Sequence, residues 1–322
     1  MAGTTALKVI DAATVERLLD YPSLVAKLRE AFLAPPTAPS RQAVPIEAAP
    51  GQTAGTLLVM PAVRPGKLIG VKLVTVLPEL GNRPGGALRA IYMVLDAASG
   101  EPLGTIDGHA LTTRRTAAAS VLAASVLASP EPETLLVVGT GSVAEALAEA
   151  YWAVLRPKRV LIWGRNVEKA EALAASLHAR GIAASAAGEL AEAVGQAQIV
   201  SAATLAREPI ILGDQVRPGT HIDLVGGFRR DMRESDDALV RKARVVVDVP
   251  HTKTETGDIA QPLAAGVLDA ADVTELAELL GEAPRWRRAP EDITLFKSAG
   301  HALEDLAGAE LVMERLGAEE IA

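Results

Sequence analysis

The sequence predicts an α/β protein in two parts, one of them a doubly wound parallel sheet. Three observations carry that expectation. From about Ala110 onward, short apolar runs alternate with helical segments, the rhythm of strand-helix-strand units. Between Gly55 and Asp107, apolar runs instead follow one another across turn clusters, the pattern of an antiparallel or mixed sheet. The run TLLVV at 134–138 also passes directly into a Gly139-Thr140-Gly141 loop at the head of an alanine-rich helix.

Taken in order, residues 13–33 repeat apolar side chains at helical spacing, from Val15 and Leu18 to Leu28 and Phe32. Asp20-Tyr21-Pro22 interrupts them, so two shorter helices are an alternative to one. Pro35, Pro36 and Pro39 end the helical stretch. The runs TLLVM, LIGVKLVTVL, RAIYMVLD and PLGTI then read as strands, divided by clusters such as Pro65-Gly66 and Pro84-Gly85-Gly86. A helix at 110–128 leads to strand 134–138, helix 143–155, strand 159–163 and helix 167–180. Strand-like runs recur at 198–202, 221–225 and 244–248, and ITLF precedes a closing helix at 299–317. The alanine-rich stretch 179–193 reads as helix and helix-strand joint. The expected division is residues 1–112 rejoined by 291–322, and residues 113–290.

Composition narrows the function. The chain has 322 residues, 49% of them hydrophobic and only 3% aromatic, which asks for an aliphatic core. A net charge of −8 argues against broad nucleic-acid binding, which needs a basic surface. Without cysteine there are no disulfides and no thiolate ligands or nucleophiles. The five histidines are scattered without a pair at ligand spacing, so no metal site is expected. Neither a signal peptide nor a membrane span is expected, which makes the cytoplasm the default address.

The loop Gly139-Thr140-Gly141-Ser142-Val143-Ala144 has the G-x-G-x-x-A form of a dinucleotide fingerprint. Gly139 allows the tight turn, Gly141 lets backbone approach a pyrophosphate, and Ala144 keeps helix close to sheet. The next strand ends in Trp163-Gly164-Arg165-Asn166, where NAD-binding chains place a carboxylate. Arg165 is suited to pair with a 2′-phosphate and Asn166 to donate to it, which favours NADPH, with NADH as the alternative. The competing reading is a solvated Arg165 and an Asn166 that caps the following helix. Upstream, Lys72 stands inside the apolar run IGVKLVTV, and an arginine pair opens the helix LTTRRTAAAS. An unpaired buried ammonium is costly, so Lys72 either faces water or is held for a purpose.

Together these segments resemble the ornithine cyclodeaminase/μ-crystallin family over nearly the whole chain. The matching elements are Arg41, MPA at 60–62, VKLV at 71–74, LDAASGEPLGTIDG at 95–108 and LTTRRTAAAS at 111–120. GTGS, WGRN, VGG at 225–227 with RE at 233–234, and TLFKSAG at 294–300 follow in the family's order. Ser142-Val143 departs slightly from the small residue and Gln that many members carry.

The resemblance implies a substrate-binding and dimerisation domain, a Rossmann domain, and a homodimer. It implies that Arg41 and Arg115 bind a substrate carboxylate, with Lys72 beside the reacting nitrogen as the catalytic proton source. Thr116 would contact the cofactor phosphate. The Ala203-Thr204 turn, the loop from Gly226 to Phe228, and Lys297 would line the cofactor. Cyclodeaminase members have an aspartate where this chain has Phe228. That departure is similar to the imine-reducing branch, the Δ1-pyrroline-2-carboxylate reductases, acting on a small cyclic imino acid. The expected reaction makes L-proline, or L-pipecolate from the six-membered homologue. Ornithine cyclodeamination, alanine dehydrogenation and ligand binding without catalysis are the alternatives. Glu255 and Asp258 read as helix caps and Asp305 as a structural residue.

Overall fold

The computed structural model describes residues 7–49, 52–80, 88–281 and 289–319. The chain divides into two compact units, one running to Arg115 and resuming at His301, the other spanning Thr116–Gly300. Among the described residues no helix is long and apolar enough to cross a membrane.

The first unit opens with β1 (Lys8–Ile10), α1 (Ala12–Leu18) and α2 (Tyr21–Leu33). The interruption at Asp20 makes two helices. Asp11 caps the first by accepting from the Thr14 amide, and Asp20 caps the second by accepting from that of Ser23. Then come β2 (Gln42–Ala49), β3 (Gln52–Arg64), β4 (Leu68–Val76), β5 (Leu88–Asp96) and β6 (Pro102–Asp107). They form one sheet in the order β1-β6-β5-β4-β3-β2, antiparallel except for the parallel β1–β6 pair. The sequence reading did not include β2. Its residues are almost all exposed, so this edge strand lacks the apolar alternation that marks a half-buried one.

Pairing fixes which side chains share a face. Ile106, Tyr92, Lys72 and Met60 are mutual partners across β6, β5, β4 and β3, and all four are buried. The C-terminal helix, Ala302–Glu319, packs on β3, β4 and α2. The alternate positions form the other face, where Leu73 pairs with Val59 and Ile91, and Val71 with Pro61 and Met93. Ile91, Met93 and the edge residue Val44 are exposed.

Helix α3 (Gly108–Leu127) carries the chain into the second unit. The strands there are β7 (Thr134–Val138), β8 (Arg159–Trp163), β9 (Ala184–Ala186), β10 (Ile199–Ala202), β11 (His221–Leu224), β12 (Ala243–Val247), β13 (Val273–Glu275) and β14 (Ile293–Lys297). The helices are α4 (Ser142–Val154), α5 (Val167–Ala179), α6 (Leu190–Gln196), α7 (Asp237–Lys242), α8 (Thr252–Glu255), α9 (Gly257–Ala264) and α10 (Leu276–Gly281). All eight strands are parallel, in the order β13-β12-β14-β11-β10-β7-β8-β9. The core is aliphatic, built on residues such as Leu136, Val200, Ile222 and Leu295.

Two details depart from the sequence reading. Residues 291–300 were expected with the first domain, yet β14 lies between β11 and β12, and the second unit extends to Gly300. Every residue of β14 is buried, as a strand covered on both faces requires. Within the alanine-rich stretch, residues 184–186 form the edge strand β9, which is too short to show a period.

Candidate functional site

In the second unit, strand order reverses at β7, which has β8 on one side and β10 on the other. Loops leaving the carboxyl ends of strands diverge at such a point and open a crevice. A cleft of about 670 Å³ lies there, lined by Gly139 and Thr140 after β7, Arg165 and Asn166 after β8, and Ala203 and Thr204 after β10. Gly139 has φ 138°, and a Cβ on it would stand 2.7 Å from the Ala203 carbonyl oxygen, so only glycine fits the turn. Gly141 is the N-cap of α4 and offers no side chain to the first-turn amides, while space is open where its Cβ would be. Ser142 and Val143 form that first turn, and Ala144 is fully buried against the sheet. The loop therefore suits a pyrophosphate, with N–H groups and the helix dipole directed at it.

Asn166 Oδ1 accepts from the Lys169 amide at 2.7 Å, so this residue caps α5 and keeps its amide N–H groups as donors. Arg165 and Lys169 are exposed and line the cleft, as does Arg207. Lys169 and Arg207 were not singled out from sequence, because an isolated surface cation carries no local signature.

The remaining predicted cofactor residues lie elsewhere. Thr116 is buried on α3. Phe228 is half-buried beyond the Gly226-Gly227 turn. Lys297 is fully buried, and its ammonium donates to the carbonyls of Leu224, at 3.2 Å, and Gly226. Its Nζ also stands 3.6 Å from Asp258 Oδ2. Lys297 thus braces the glycine turn from within. Asp258, read as a helix cap, instead accepts from the Glu234 and Ser235 amides and the Ser235 hydroxyl, each at 2.9 Å. A cap role was the local reading, and the bonds it makes span more than twenty residues.

The first unit holds a separate ionic cluster on the inner face of its sheet. Lys72 is 2% exposed on β4. Its ammonium meets Asp305 at 2.9 Å to Oδ1 and 2.7 Å to Oδ2, and the Thr112 hydroxyl at 3.4 Å. Arg115 Nε donates to Asp305 Oδ1 at 2.9 Å, and Nη1 donates to Glu304 Oε2 at 2.6 Å. Burial pulls the Lys72 pKa down to about 8, against the opposing pull of Asp305, while Arg115 pushes the same way as burial. The Arg115 and Lys72 charges hold the Asp305 carboxyl below its ordinary value despite complete burial. The β2–β3 pairing ends at Gln42 opposite Val59. Arg41 therefore stands one residue further, level with Met60, the partner of Lys72.

Lys72 and Arg115 are brought together, then, by an acid that was read as structural. The sequence did hold a signal: two adjacent acids, Glu304 and Asp305, open a helix whose first half is wholly buried. Buried carboxylates require cationic or hydrogen-bonding partners, and Lys72, set in an apolar run, and the arginine pair at 114–115 were the natural candidates.

A doubly wound parallel sheet with a glycine-turn cleft at its switch point defines a dinucleotide-binding α/β protein. The chain belongs to the ornithine cyclodeaminase/μ-crystallin family, which it matches over residues 6–320. It is 39% identical over 284 residues to a Δ1-pyrroline-2-carboxylate reductase of Paracoccus denitrificans, covering 87% of this chain and 84% of that one. The solved structure of the Thermococcus litoralis Δ1-pyrroline-2-carboxylate reductase, in complex with NADH and L-proline, superposes with a TM-score of 0.89. That pair is 31% identical and covers 97% of this chain and 98% of the other. A probable ornithine cyclodeaminase from Bordetella pertussis gives a TM-score of 0.84 at 32% identity, covering 98% of each chain.

Proposed function

We propose that this chain is an NAD(P)H-dependent reductase of cyclic imino acids, converting Δ1-pyrroline-2-carboxylate to L-proline or its six-membered homologue to L-pipecolate. The observation that carries the reading is the buried Lys72–Asp305–Arg115 cluster, in a chain with a dinucleotide cleft and no carboxylate at Phe228. The Paracoccus and Thermococcus relatives, reductases of this class, support it.

Reduction of a C=N bond needs a hydride at carbon and a proton at nitrogen. When bound, NAD(P)H supplies the hydride. Gly139, Gly141, Ser142 and Val143 would hold its pyrophosphate, with the Ala203-Thr204 turn along the cleft. Lys72 holds the proton at Nζ, and a pKa near 8 keeps it charged at neutral pH yet able to release. Two cations facing two carboxylates leave the inner cluster near neutral. Arg115 orients a substrate carboxylate through its planar fork, with Arg41 as the second guanidinium for it. Ring closure with loss of ammonia would need an acid to manage the amine's protons, and Phe228 offers none.

The test follows nicotinamide oxidation with Δ1-pyrroline-2-carboxylate, with pyruvate plus ammonia, and ammonia release from ornithine. Turnover of the cyclic imine with little ammonia from ornithine is expected, and robust ornithine deamination would remove Phe228 as the discriminator. NADPH is the expected better donor, since Arg165, with Lys169 and Arg207 nearby, suits a 2′-phosphate. Arg165→Ala should weaken NADPH binding about tenfold or more and NADH binding much less. Equal losses would take Arg165 out of the choice.

The assembly is a homodimer in this reading, closed through the outer face of the six-stranded sheet. Exposed Ile91 and Met93, beside half-buried Val71 and Leu73, make that face apolar, which suits an interaction surface. A solution mass of one chain in equilibrium sedimentation would exclude it.

A further inference from the structure

One loop edges the cofactor cleft of the second unit from the carboxyl end of β10, and one side chain ties it to the neighbouring loop after β11. Glu234 Oε1 accepts from the Thr204 amide at 2.7 Å and from the Thr204 hydroxyl at 2.8 Å. Gly226 rests on the same oxygen, so closely that a Cβ there would collide with the Glu234 carboxyl and the Thr204 carbonyl. Glu234 is fully buried. Its own amide is anchored by Asp258, which stands against the Lys297 ammonium that holds the Gly226 carbonyl.

We propose that Glu234 is a positioning residue for the nicotinamide cofactor, latching the Ala203-Thr204 turn to the Gly226-Gly227 loop behind it so that the turn presents fixed backbone to the bound ligand. This rests on the cofactor reading given above and goes beyond it, because Glu234 lies behind the cleft rather than in it. The latch depends on an acceptor oxygen rather than on a charge. Burial and the neighbouring Asp258 push the Glu234 carboxyl up to about 8, with Lys297 opposing, so it is mostly neutral at neutral pH. A glutamine at this position reproduces the neutral acid in shape and keeps the carbonyl oxygen that Thr204 needs. Alanine removes it and leaves the Thr204 donors without a partner.

The experiment compares the full-length protein with Glu234→Gln and Glu234→Ala, measuring the Kd for NADPH by fluorescence at pH 7 and steady-state constants with Δ1-pyrroline-2-carboxylate. With two hydrogen bonds lost, Glu234→Ala is expected to raise Kd and KM for NADPH about tenfold. KM for the imino acid and kcat should change less than threefold. Glu234→Gln should restore NADPH affinity to within about threefold of the unaltered protein. A general structural role would depress every constant together, and that result would overturn the latch. So would a Glu234→Gln protein that folds, by circular dichroism, yet binds NADPH as weakly as Glu234→Ala. If Glu234→Ala fails to fold, Thr204→Val removes one of the two bonds and should raise Kd about threefold, and an unchanged Kd would overturn the proposal. Failure of the unaltered protein to bind NADPH or NADH at all would defeat the functional reading itself, a result distinguishable from failure of the latch.

Discussion

Lys72→Met is expected to lower kcat for imine reduction at least a hundredfold while leaving the Kd for NADPH within about twofold. A positioned general acid contributes roughly 10²–10⁴ to rate, and methionine keeps the length and apolar stem of lysine without its proton. The residue is on β4 in the first unit, whereas the glycine turn and the cleft belong to the second, so cofactor capture has its own side chains. The pH profile carries the same assignment. Burial lowers the Lys72 pKa to about 8, so the protonated form dominates below that value and is lost above it. The rate with saturating cofactor should therefore fall as pH rises through about 8. In Lys72→Met that limb should be absent from the residual rate. A variant retaining more than a tenth of kcat would mean that the nitrogen takes its proton from elsewhere, and Lys72 would then be a binding residue only.

The sequence carried the second unit more clearly than the first, for a physical reason. Parallel strands buried on both faces make continuous apolar runs, and TLLVV, RVLIW and ITLF stand out wherever they fall. The glycine turn adds a backbone requirement at Gly139 that no other residue meets, so it is written directly into the residue type. The first unit's edge strand β2 had neither signal, being exposed and containing Pro45.

The two sites divide in the same way. Arg165 and Asn166 sit within one loop and are visible as a local string. Lys72, Arg115 and Asp305 are 43 to 233 residues apart, and only the folded sheet with the C-terminal helix upon it joins them. Periodicity shows that a charged residue is out of place but not what answers it. Glu234 and Asp258 illustrate the same limit, since each looks like an ordinary acid near a turn until its partners are known.

Asp305→Asn should be the most damaging single substitution in the first unit, in stability and in chemistry together. The carboxylate is completely buried and is shared by Lys72 and Arg115, so its loss leaves two cations facing Glu304 alone. Breaking a buried pair by removing one partner costs roughly 3–5 kcal/mol, because the other charge stays out of water unmatched. At about 2–4 °C per kcal/mol for a unit of this size, the melting temperature should fall on the order of 10 °C. Asparagine keeps the volume and one acceptor oxygen, so the loss is of charge rather than of packing. Chemistry should report the same charge. Asp305 is what holds the Lys72 pKa up against burial and Arg115, and without it that value drops further below 8. The falling limb of the rate profile then moves to lower pH, and kcat at pH 8 falls more than kcat at pH 6. KM for the imino acid should not rise, because the site has gained net positive charge toward a carboxylate. A variant with an unshifted limb and an unchanged melting temperature would show that the Lys72 proton is governed elsewhere and that Asp305 is incidental to the site. An unshifted limb in a destabilised protein would keep its structural role and remove the electrostatic one.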